Sequence, residues 1–566
     1  MPVKTGGNED GFTMIVTVIA MSVLSLLTLV AITAVNGDAH LTSRDLMRKQ
    51  AYEAAKAGID EYAFRLHTNT AYWSKCASVE APGAVNQMGS TTNRRSVPGM
   101  PGAEYAIELI PATGHGSCDP TNLSTATASM LESNEPLKGT FRIRSNGYVG
   151  DSHVAITATF KPASFLDYVY FTQYETSDPA SYATEELKYG AEQQCEKFLR
   201  EHRTESPLRN KAGQVMNQSG DVYLGNRGER EKYCTTISFV SGDNIKGPMH
   251  TNDAFVICVN NKSRPILGRG TEDPIEVGAG SPGFYPTNEN FLNSGSSCGG
   301  EAEIKGQKRL NSAVIVPPET NSALSTIAEP SYRFSGEVSI CLNGATMTVG
   351  KGRSCNEQTL PFPTNGVIYV SSIACSGLYT PFLLSYPTVP SECGNVNISG
   401  TYSKPLTIAA ANDVIISGDV TKSSEEGMLG LIANNFIRIF HPVKLHPETC
   451  GWKVVEGSDQ WVCEEDLTQT GCYGNASDAI EDVRIEAALL AIKHSFIVDN
   501  YDCGGDLGTL SVKGAIAQKF RGAVGTTGHT GFIKDYEYDD RLKTTEPPSF
   551  IQPVKSDWVI GRETTE

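Results

Sequence analysis

Charged residues are absent from one long stretch near the start of this 566-residue chain, between Phe12 and Val35. The stretch has 24 residues and also lacks proline, so no residue in it interrupts a helix. At about 1.5 Å per residue, such a helix covers the roughly 30 Å hydrocarbon core of a bilayer. A secretory signal would have a shorter apolar core, of about 7 to 15 residues, and an Ala-x-Ala-like exit. We therefore expect a membrane-spanning helix that is not removed at its far end.

Cysteine is also absent from this stretch, and all 14 cysteines follow it. None forms a Cys-x-x-Cys pair and no histidine follows at zinc-finger spacing, which argues against metal ligation. Their even number favours disulfides, which would place the residues after Val35 on the oxidising side of a membrane. The alternative is that they are small buried hydrophobic side chains. The disulfide candidates are Cys76, Cys118, Cys195, Cys234, Cys258, Cys298, Cys341, Cys355, Cys375, Cys393, Cys450, Cys463, Cys472 and Cys503.

Several motifs of enzymes and metal sites are missing as well. The chain has no His-Glu-x-x-His, Gly-x-Ser-x-Gly or Gly-x-x-x-x-Gly-Lys-Ser/Thr segment and no EF-hand spacing. One acidic run, Asp535, Glu537, Asp539 and Asp540, is a weak calcium candidate, since Ca²⁺ prefers oxygen ligands. A solvated loop is the commoner explanation of such a run. We expect no catalytic residue and no cofactor apart from this calcium candidate.

Basic residues are outnumbered by acidic ones, 47 to 64, which gives a net charge of −17. A field of this sign repels nucleic acid, so we expect no nucleic-acid partner. The densest basic segment, Arg200 to Arg209, is interleaved with Glu201 and Glu205 and is typical of a solvated face. The 54 glycines and 29 prolines, with moderate apolar content, are typical of a turn-rich β protein.

The helix is predicted to continue beyond the apolar stretch, to residue 67. Ala51, Ala55, Ile59, Tyr62 and Leu66 recur at helical spacing among charged residues, which indicates an amphipathic second half. Such a helix needs an apolar surface to cover its buried face.

The N-terminal region resembles type IV pilin-like proteins, in particular PilX-type minor pilins and large pseudopilin-like envelope proteins. The resemblance lies in Gly11-Phe12, in the proline-free apolar stretch and in the segment from Arg48 to Ile59, which is similar to the family's AxEAG helix. The segments 514–522, 534–542 and 547–550 are similar to the C-terminal region of large pilin-like envelope proteins.

The resemblance implies a processing site and a set of partners. A prepilin peptidase would remove the leader, residues 1–11, between Gly11 and Phe12, and the new N-terminus would be methylated. Residues 12–67 would then pack against other pilin-like subunits, brought together by the assembly machinery. Val16 departs from the family, whose major subunits usually carry Glu at this position. That departure indicates a rare or tip-located subunit rather than the repeating one.

A small antiparallel sheet is expected over residues 68–165. The segments 103–110, 140–149 and 154–160 alternate apolar and polar residues and are bounded by turn residues. Cys76 and Cys118 could join the helix to this sheet. Pairing of neighbours such as Cys341 with Cys355 and Cys375 with Cys393 is a guess, because connectivity cannot be read from a sequence.

The later half has a different pattern. Four places share Asn or His, a small polar residue and apolar residues, beginning at Asn252, Asn412, Asn434 and His494, and two of them are 22 residues apart. That spacing is close to one coil of a parallel β-solenoid, with an ordinary β-sandwich as the structural alternative. We predict a connecting region at 166–240, a solenoid-like domain with disulfide loops at 241–530 and a C-terminal extension at 531–566.

The predicted fold class is therefore α+β or mainly β. It consists of a long N-terminal transmembrane helix on a small antiparallel sheet, followed by a large β-helix-like domain. The predicted function is a minor subunit, at the tip or in another scarce position, of a type IV pilus-like or pseudopilus filament that displays a surface-binding domain for an unknown ligand. The predicted location is the cell membrane, crossed once with the C-terminal part outside, and then a cell-surface filament. The alternatives are an uncleaved membrane-anchored adhesin or envelope structural protein, and a surface polysaccharide-active enzyme on a β-solenoid.

Overall fold

The structure is a computed structural model, and it describes most of the chain. The described residues are 10–69, 71–76, 85–121, 129–133, 139–181, 189, 191, 195, 237–259, 263–279, 284–286, 301–375, 391–445, 449–455, 458–464, 472–526, 530–543, 545–554, 556 and 558–566. They fall into two compact units. Unit 1 combines Met1–Pro162 with Asp557–Glu566, and unit 2 is Ala163–Ser556.

Unit 1 consists of one long helix on an antiparallel sheet. Helix α1 runs from Asp10 to Thr68. The strands are β1 Val85–Asn86, β2 Arg95–Ser96, β3 Ala103–Ile110, β4 Phe141–Val149, β5 Ser152–Pro162 and, from the end of the chain, β34 Trp558–Thr565. The sheet order is β1-β3-β4-β5-β34, with β2 on β3, and β3, β4, β5 and β34 are antiparallel neighbours. The three alternating segments of the sequence lie in β3, β4 and β5.

The second half of α1 packs on this sheet through a narrow contact. Ala51, Ala55 and Ile59 are fully buried there. A side chain at Gly147 of β4 would collide with the backbone of Ala51 and Ala55, and one at Gly58 would collide with Tyr105. Glycine on both surfaces therefore allows the helix backbone and the sheet to approach closely. This contact also gives a physical reason for a glycine in the segment that resembles pilins.

Aromatic rings fill the core between α1 and the sheet. The Phe141 ring stacks on Phe160, with centroids 5.1 Å apart, and lies edge-on to Trp558 at 4.8 Å. Tyr62 of α1 contacts both phenylalanine rings. Trp558 begins β34, which pairs with β5 from Trp558 opposite Pro162 to Thr565 opposite Ile156. The last strand of the chain therefore completes the sheet and its core, and all of unit 2 is inserted between two neighbouring strands.

The predicted membrane-spanning helix is wrong. No helix in the described part of the chain is long and apolar enough to cross a membrane. The predicted fold class fails in this element, and the predicted single-pass location with a surface filament fails with it.

Unit 2 is built almost entirely of short strands. Its first strands are β6 Tyr170–Tyr174, β7 Phe239–Val240, β8 Asn244–Lys246, β9 Met249–Thr251, β10 Phe255–Cys258, β11 Ile266–Leu267, β12 Pro274–Val277, β13 Phe284–Pro286, β14 Glu303–Ile304 and β15 Gln307–Arg309. The next are β16 Arg333–Ser335, β17 Val338–Gly344, β18 Thr346–Lys351, β19 Gln358–Pro361, β20 Val367–Ser371, β21 Val396–Tyr402, β22 Leu406–Ala410, β23 Val414–Lys422, β24 Leu429–Ala433 and β25 Ile437–Ile439. The last are β26 Val443–Leu445, β27 Thr449–Val455, β28 Ser458–Glu464, β29 Cys472–Asn475, β30 Arg484–Ala491, β31 Phe496–Val498, β32 Asp506–Phe520 and β33 Gly531–Tyr538.

Both units also contain short helical segments. Helix α2 is Leu324–Ile327, and the 3₁₀ turns are Tyr72–Lys75, Phe165–Asp167, Pro179–Ser181, Pro330–Tyr332 and Asp540–Lys543. Each is three or four residues long, so the described part of unit 2 owes its shape to strands.

One row of parallel strands runs through unit 2 in the order β16, β20, β22, β24, β30, β32, β6, β9, β12, β15. We call it row A. A second parallel row contains β17, β21, β23, β25 and β31. A third contains the first halves of β30 and β32 with β33, β8, β11 and β14. The hairpins β17-β18-β19, β26-β29 and β27-β28 are antiparallel.

The recurring segments of the sequence are the corners that follow row A strands. Asn252 follows β9, Asn412 follows β22, Asn434 follows β24 and His494 lies shortly after β30. The Asn412 side chain donates to Asn395, 2.7 Å away, and accepts from Asn435. Polar side chains therefore satisfy one another from one corner to the next, which buried corners require.

Row A does not follow chain order. Strand β6, the first of unit 2, lies between β32 and β9, so that Ile516 faces Tyr170 and Tyr170 faces Met249. The chain passes from the β15 end towards the β16 end through residues 312–321, which we call the strap. The strap contacts row A along its path, since Asn252 binds Ile315 through two hydrogen bonds and Asn321 donates to the Ala410 carbonyl.

Strand pairing that departs from chain order also makes the domain boundaries differ from the predicted ones. The predicted connecting region, 166–240, contains β6, which is a central strand of row A. The predicted extension, 531–566, contributes β33 to unit 2 and β34 to unit 1. Each of these strands pairs with a partner far away in sequence, so local patterns do not reveal it.

Buried ion pairs join the early and late parts of unit 2. The Arg521 guanidinium lies 2.7 Å from the Glu175 carboxylate, and both side chains are almost fully buried. Arg521 also lies over the Phe239 ring, and its backbone N–H donates to the carbonyls of Tyr174 and Thr176.

A second buried ion pair joins Lys534 to Asp243 at 2.8 Å, and burial lowers the pKa of this lysine. One buried ion pair thus lies where β6 pairs with the end of β32, and the other lies where β8 pairs with β33.

Replacing Arg521 should destabilise unit 2. Arg521→Met leaves the buried Glu175 carboxylate without its cation, and breaking a buried pair in this way typically costs about 3 to 5 kcal/mol. Lys513→Met is the matched control, because Lys513 lies in β32, the strand that ends directly before Arg521, and pairs with Glu537 at the surface. Surface pairs contribute about 0 to 1 kcal/mol. Urea unfolding followed by circular dichroism should show a much larger loss for Arg521→Met; equal losses would contradict the role given to this pair.

Candidate functional site

The first half of α1 is a candidate interface. From residue 14 to 29 its large apolar side chains are exposed, between 48% for Val16 and 72% for Met14. They are Met14, Ile15, Val16, Val18, Ile19, Met21, Val23, Leu24, Leu26, Leu27 and Leu29. At about 100° per residue these positions surround the helix, so no single sheet could cover them all. A helix that is apolar on every side is stable when other apolar surfaces enclose it.

The polar side chains in this segment are satisfied within the helix itself. Ser22 and Ser25 each donate to the backbone carbonyl four residues earlier, at 2.8 Å, and Thr17 and Thr28 donate to the carbonyl three residues earlier. Their hydroxyls therefore need no partner from outside the helix. The segment is suited to close packing against apolar side chains rather than to binding a polar ligand.

The second half of α1 changes character. It is held to the sheet by the buried face described above, and its other face carries charge. Glu61 binds Arg65 on the helix and Arg95 on β2, at 3.0 and 3.2 Å. Lys49 pairs with Asp45 at the surface. Unit 1 thus fixes one half of the helix and leaves the apolar half without cover in its own described residues.

The residues predicted for processing lie at the start of this helix. Gly11 and Phe12 are helical residues, since α1 begins at Asp10. Val16, the position that departs from the pilin pattern, is exposed within the apolar segment. The structure therefore brings the predicted processing site and the apolar segment together on one helix, and cleavage itself stays a prediction.

Nine of the predicted disulfide cysteines are bonded among the described residues. Cys76 is joined to Cys118, Cys341 to Cys355 and Cys375 to Cys393. Cys195, Cys258 and Cys503 are also disulfide-bonded. Cys450, Cys463 and Cys472 lie in β27, β28 and β29, while Cys234 and Cys298 lie outside the described residues.

The four predicted calcium ligands each face a cation. On β33, Asp535 binds Lys246 at 2.7 Å and Glu537 binds Lys513 at 2.8 Å. After β33, Asp539 binds Arg541. The described residues contain no group of His, Cys, Asp and Glu arranged to hold a metal ion. Calcium binding here stays a prediction, and it would compete with these ion pairs.

The last of the four carboxylates, Asp540, has a lowered pKa. Arg269 lies 2.7 Å from Asp540 and Lys543 lies 2.9 Å from it. Hydrogen bonds from Arg269 and then from Lys543 lower the pKa of Asp540 to about 2. The carboxylate therefore stays ionised, and paired, throughout the neutral and mildly acidic range.

Unit 2 has a cleft of about 710 Å³ beside the junction of β6 and β32. We call it the β6 cleft. Its lining comes from β6 and the residues after it, from the strap, from the corner after β30 and from the end of β32. The residues are Gln173, Asp178, Pro179, Ala180, Val316, Pro317, Pro318, Glu319, Thr320, Ile492, Lys493, His494, Lys519 and Phe520.

A buried carboxylate orients a histidine in this cleft. The His494 Nδ1 atom lies 3.0 Å from both Asp178 oxygens, and its ring stacks on Phe436. Ser495 also donates to Asp178, at 3.1 Å. Asp178 is almost fully buried and accepts the backbone N–H of Ala180 as well. The arrangement fixes the orientation of the imidazole.

The sequence alone does not predict this cleft. His494 and Ser495 were noticed only as a repeat of corner residues, and Asp178 lies 316 residues earlier, in the predicted connecting region. No local motif links the two. A pairing of β6 with β32 would have been needed to place them together.

Comparisons with known proteins give little more. No family model and no curated protein sequence matches this chain. Among solved structures, the chain is similar to the crystal structure of the competence-associated pilin ComZ from Thermus thermophilus, with 9% identity, a TM-score of 0.26, and coverage of 92% of this chain and 97% of that one. A TM-score of this size does not establish a shared fold. The match is a distant likeness to a pilus component and nothing finer.

Proposed function

We propose that this chain is a minor subunit of a pilin-like filament, assembled through its long N-terminal helix. The observation that carries the proposal is the exposed apolar segment of α1, residues 14–29, on a helix whose other half is fixed to an antiparallel sheet. The partners would be the equivalent helices of other pilin-like subunits. Several such helices together can enclose a segment that is apolar on every side.

The contrast between the two halves of α1, one packed on the sheet and one apolar and exposed, supports this assembly. The fixed half holds the helix in a constant orientation on unit 1, because Ala51, Ala55 and Ile59 are fully buried and the glycine contact admits no side chain. The apolar half has no charged residue from 14 to 29. Packing of the apolar halves of such helices therefore carries no cost of burying charge, and the sheet of unit 1 would stay outside the packed helices.

A scarce position in the filament fits the rest of the chain. Unit 2, Ala163–Ser556, is far larger than unit 1, and a unit of this size on every subunit would crowd a thin filament. Val16 replaces the Glu that the resemblance leads us to expect in a repeating subunit. We assign the chain to a rare or terminal position, where it would be processed between Gly11 and Phe12 by a prepilin peptidase and would display unit 2. No catalytic role is part of this proposal.

A single charge in the apolar segment should prevent assembly. Leu24→Lys would bury an ammonium group among apolar side chains, which is strongly unfavourable without a partner. Leu46→Lys is the matched control, because Leu46 is the same residue on the same helix, with 56% exposure against 61% for Leu24. In filaments isolated from producing cells, immunoblots should detect the wild type and Leu46→Lys and should lose at least about nine-tenths of Leu24→Lys. Equal incorporation of both variants, or absence of the wild type, would contradict the proposal.

Processing gives a separate test. The mature chain should begin at Phe12 with one methyl group on its amine, as intact mass and N-terminal peptide mass would show. Gly11→Val should keep residues 1–11, because the resemblance places the cut directly after this glycine. A wild-type chain that retains Met1 to Gly11 would overturn the processing step, whereas Leu24→Lys should be processed normally.

A further inference from the structure

Lys534 and Asp243 form a buried pair that assembly through α1 does not explain. Their side chains are 7% and 0% exposed, and the two residues are 291 positions apart in the chain. Lys534 is in β33, and Asp243 directly precedes β8, which pairs with β33 in parallel so that Asp535 faces Asn244. Two adjacent strands therefore hold an amine against a carboxyl group in the interior of unit 2.

The contact between the amine and the carboxyl group is close. The Lys534 Nζ atom donates to Asp243 Oδ2 at 2.8 Å, and the same oxygen accepts the Val240 N–H at 2.9 Å. The Lys534 N–H lies 3.5 Å from the other carboxyl oxygen. Because a C–O bond of this kind is about 1.2 Å long, the Asp243 Cγ atom lies no more than about 4 Å from the amine. A small movement therefore brings the nitrogen within reach of this carbon.

The amine lies where its uncharged form is favoured. Burial lowers the pKa of Lys534, and the charge of Arg521 lowers it further, against the opposing effect of Asp243. A lysine acts as a nucleophile only when its nitrogen has lost a proton, and burial favours that state. Proton transfer along the 2.8 Å hydrogen bond converts the ion pair into a neutral amine and a neutral acid.

Buried apolar and aromatic residues flank the pair on both strands. Phe239, which precedes Val240, is fully buried, and Tyr536 of β33 faces Ile245 of β8, with 2% and 0% exposure. Two opposite charges in such surroundings carry a large desolvation penalty, whereas an amide has no charge. Exclusion of bulk water also favours a condensation, because water is one of its products.

We propose that Lys534 and Asp243 condense to form an amide bond between their side chains. After the proton transfer, the Lys534 nitrogen bonds to Asp243 Cγ and the bond from Cγ to one carboxyl oxygen breaks. That oxygen leaves as water, with its own proton and one proton from the nitrogen. The product is an amide with one N–H. Nothing is oxidised or reduced, and no co-reactant takes part.

The bond would join the early strands of unit 2 to the late strands covalently. The pairing of β8 with β33 is held by hydrogen bonds, which open in denaturant, whereas an amide bond does not. A cross-link between residues so far apart in the chain also restricts the unfolded state strongly. The inference is independent of the filament role, because it depends on unit 2 alone.

Peptide mapping of the wild-type full chain tests the bond directly. Trypsin cuts after lysine and arginine, so a reduced and alkylated chain without the bond yields the linear peptides 233–246 and 522–534. An amide on Lys534 prevents the cut after this residue. The expected product is therefore a branched peptide that joins 233–246 to 522–541 and is lighter than the sum of the two by one water molecule.

Two results of this mapping would overturn the proposal. The first is recovery of 233–246 and 522–534 as linear peptides of unaltered mass, with no branched product. The second is loss of water within a linear 233–246 while the cut after Lys534 is retained. That loss would indicate a cyclic imide between Asp243 and Asn244 rather than a bond to the lysine.

Lys534→Arg and Lys513→Arg are a matched pair of variants. Both keep the positive charge, but only the first removes the amine that would form the bond, since Lys513 pairs with Glu537 at the surface. The branched peptide should be absent from Lys534→Arg and present in Lys513→Arg; its presence in both would contradict the assignment. The wild-type map decides the question even if Lys534→Arg fails to fold. Absence of the bond while Leu24→Lys still fails to assemble would leave the filament proposal standing.

Discussion

Unit 2 depends on one pairing, that of β6 with the end of β32. Ile516 faces Tyr170 across this pairing, and Arg521 closes it by binding the buried Glu175. Without it, the early strands, β6 to β15, and the late strands, β16 to β33, would be joined in the described residues by the pairing of β8 with β33 alone, and row A would be split into two pieces with exposed edges. The buried ion pair fixes the register, because a slip of one residue would leave both charges unpaired in the interior. The β6 cleft is a consequence, since Asp178 follows β6 while His494 and Lys519 lie on the late strands.

Unit 1, like unit 2, depends on the pairing of strands that are far apart in the sequence. Its sheet is complete only when β34, at the end of the chain, pairs with β5. The chain therefore leaves the sheet at Pro162 and returns at Trp558, and unit 2 is an insertion between neighbouring strands. Trp558 belongs to the same aromatic core as Phe141 and Phe160. Completion of the sheet that supports α1 thus requires the segments on both sides of the insertion.

Local patterns could be predicted from the sequence, and distant pairings could not. The amphipathic spacing from Ala51 to Leu66 and the alternation in 103–110 reflect the nearest neighbours of each residue, and these segments lie in α1 and β3. The predicted transmembrane helix is wrong, since no helix in the described part of the chain is long and apolar enough to cross a membrane. The acidic run looked like a metal site, since the sequence does not show that Lys246, Lys513 and Arg269 lie opposite its carboxylates. Asp178 and His494 could not be connected without the β6 pairing.

Cross-linking from the apolar segment of α1 tests the central claim most directly. A photoreactive amino acid at Val23, which is exposed in the middle of the segment, would report its neighbours in assembled filaments. The account predicts adducts with the N-terminal helices of other pilin-like subunits, mapped by mass spectrometry to their apolar segments. Adducts confined to residues of the same chain, or none with another pilin-like helix, would contradict it.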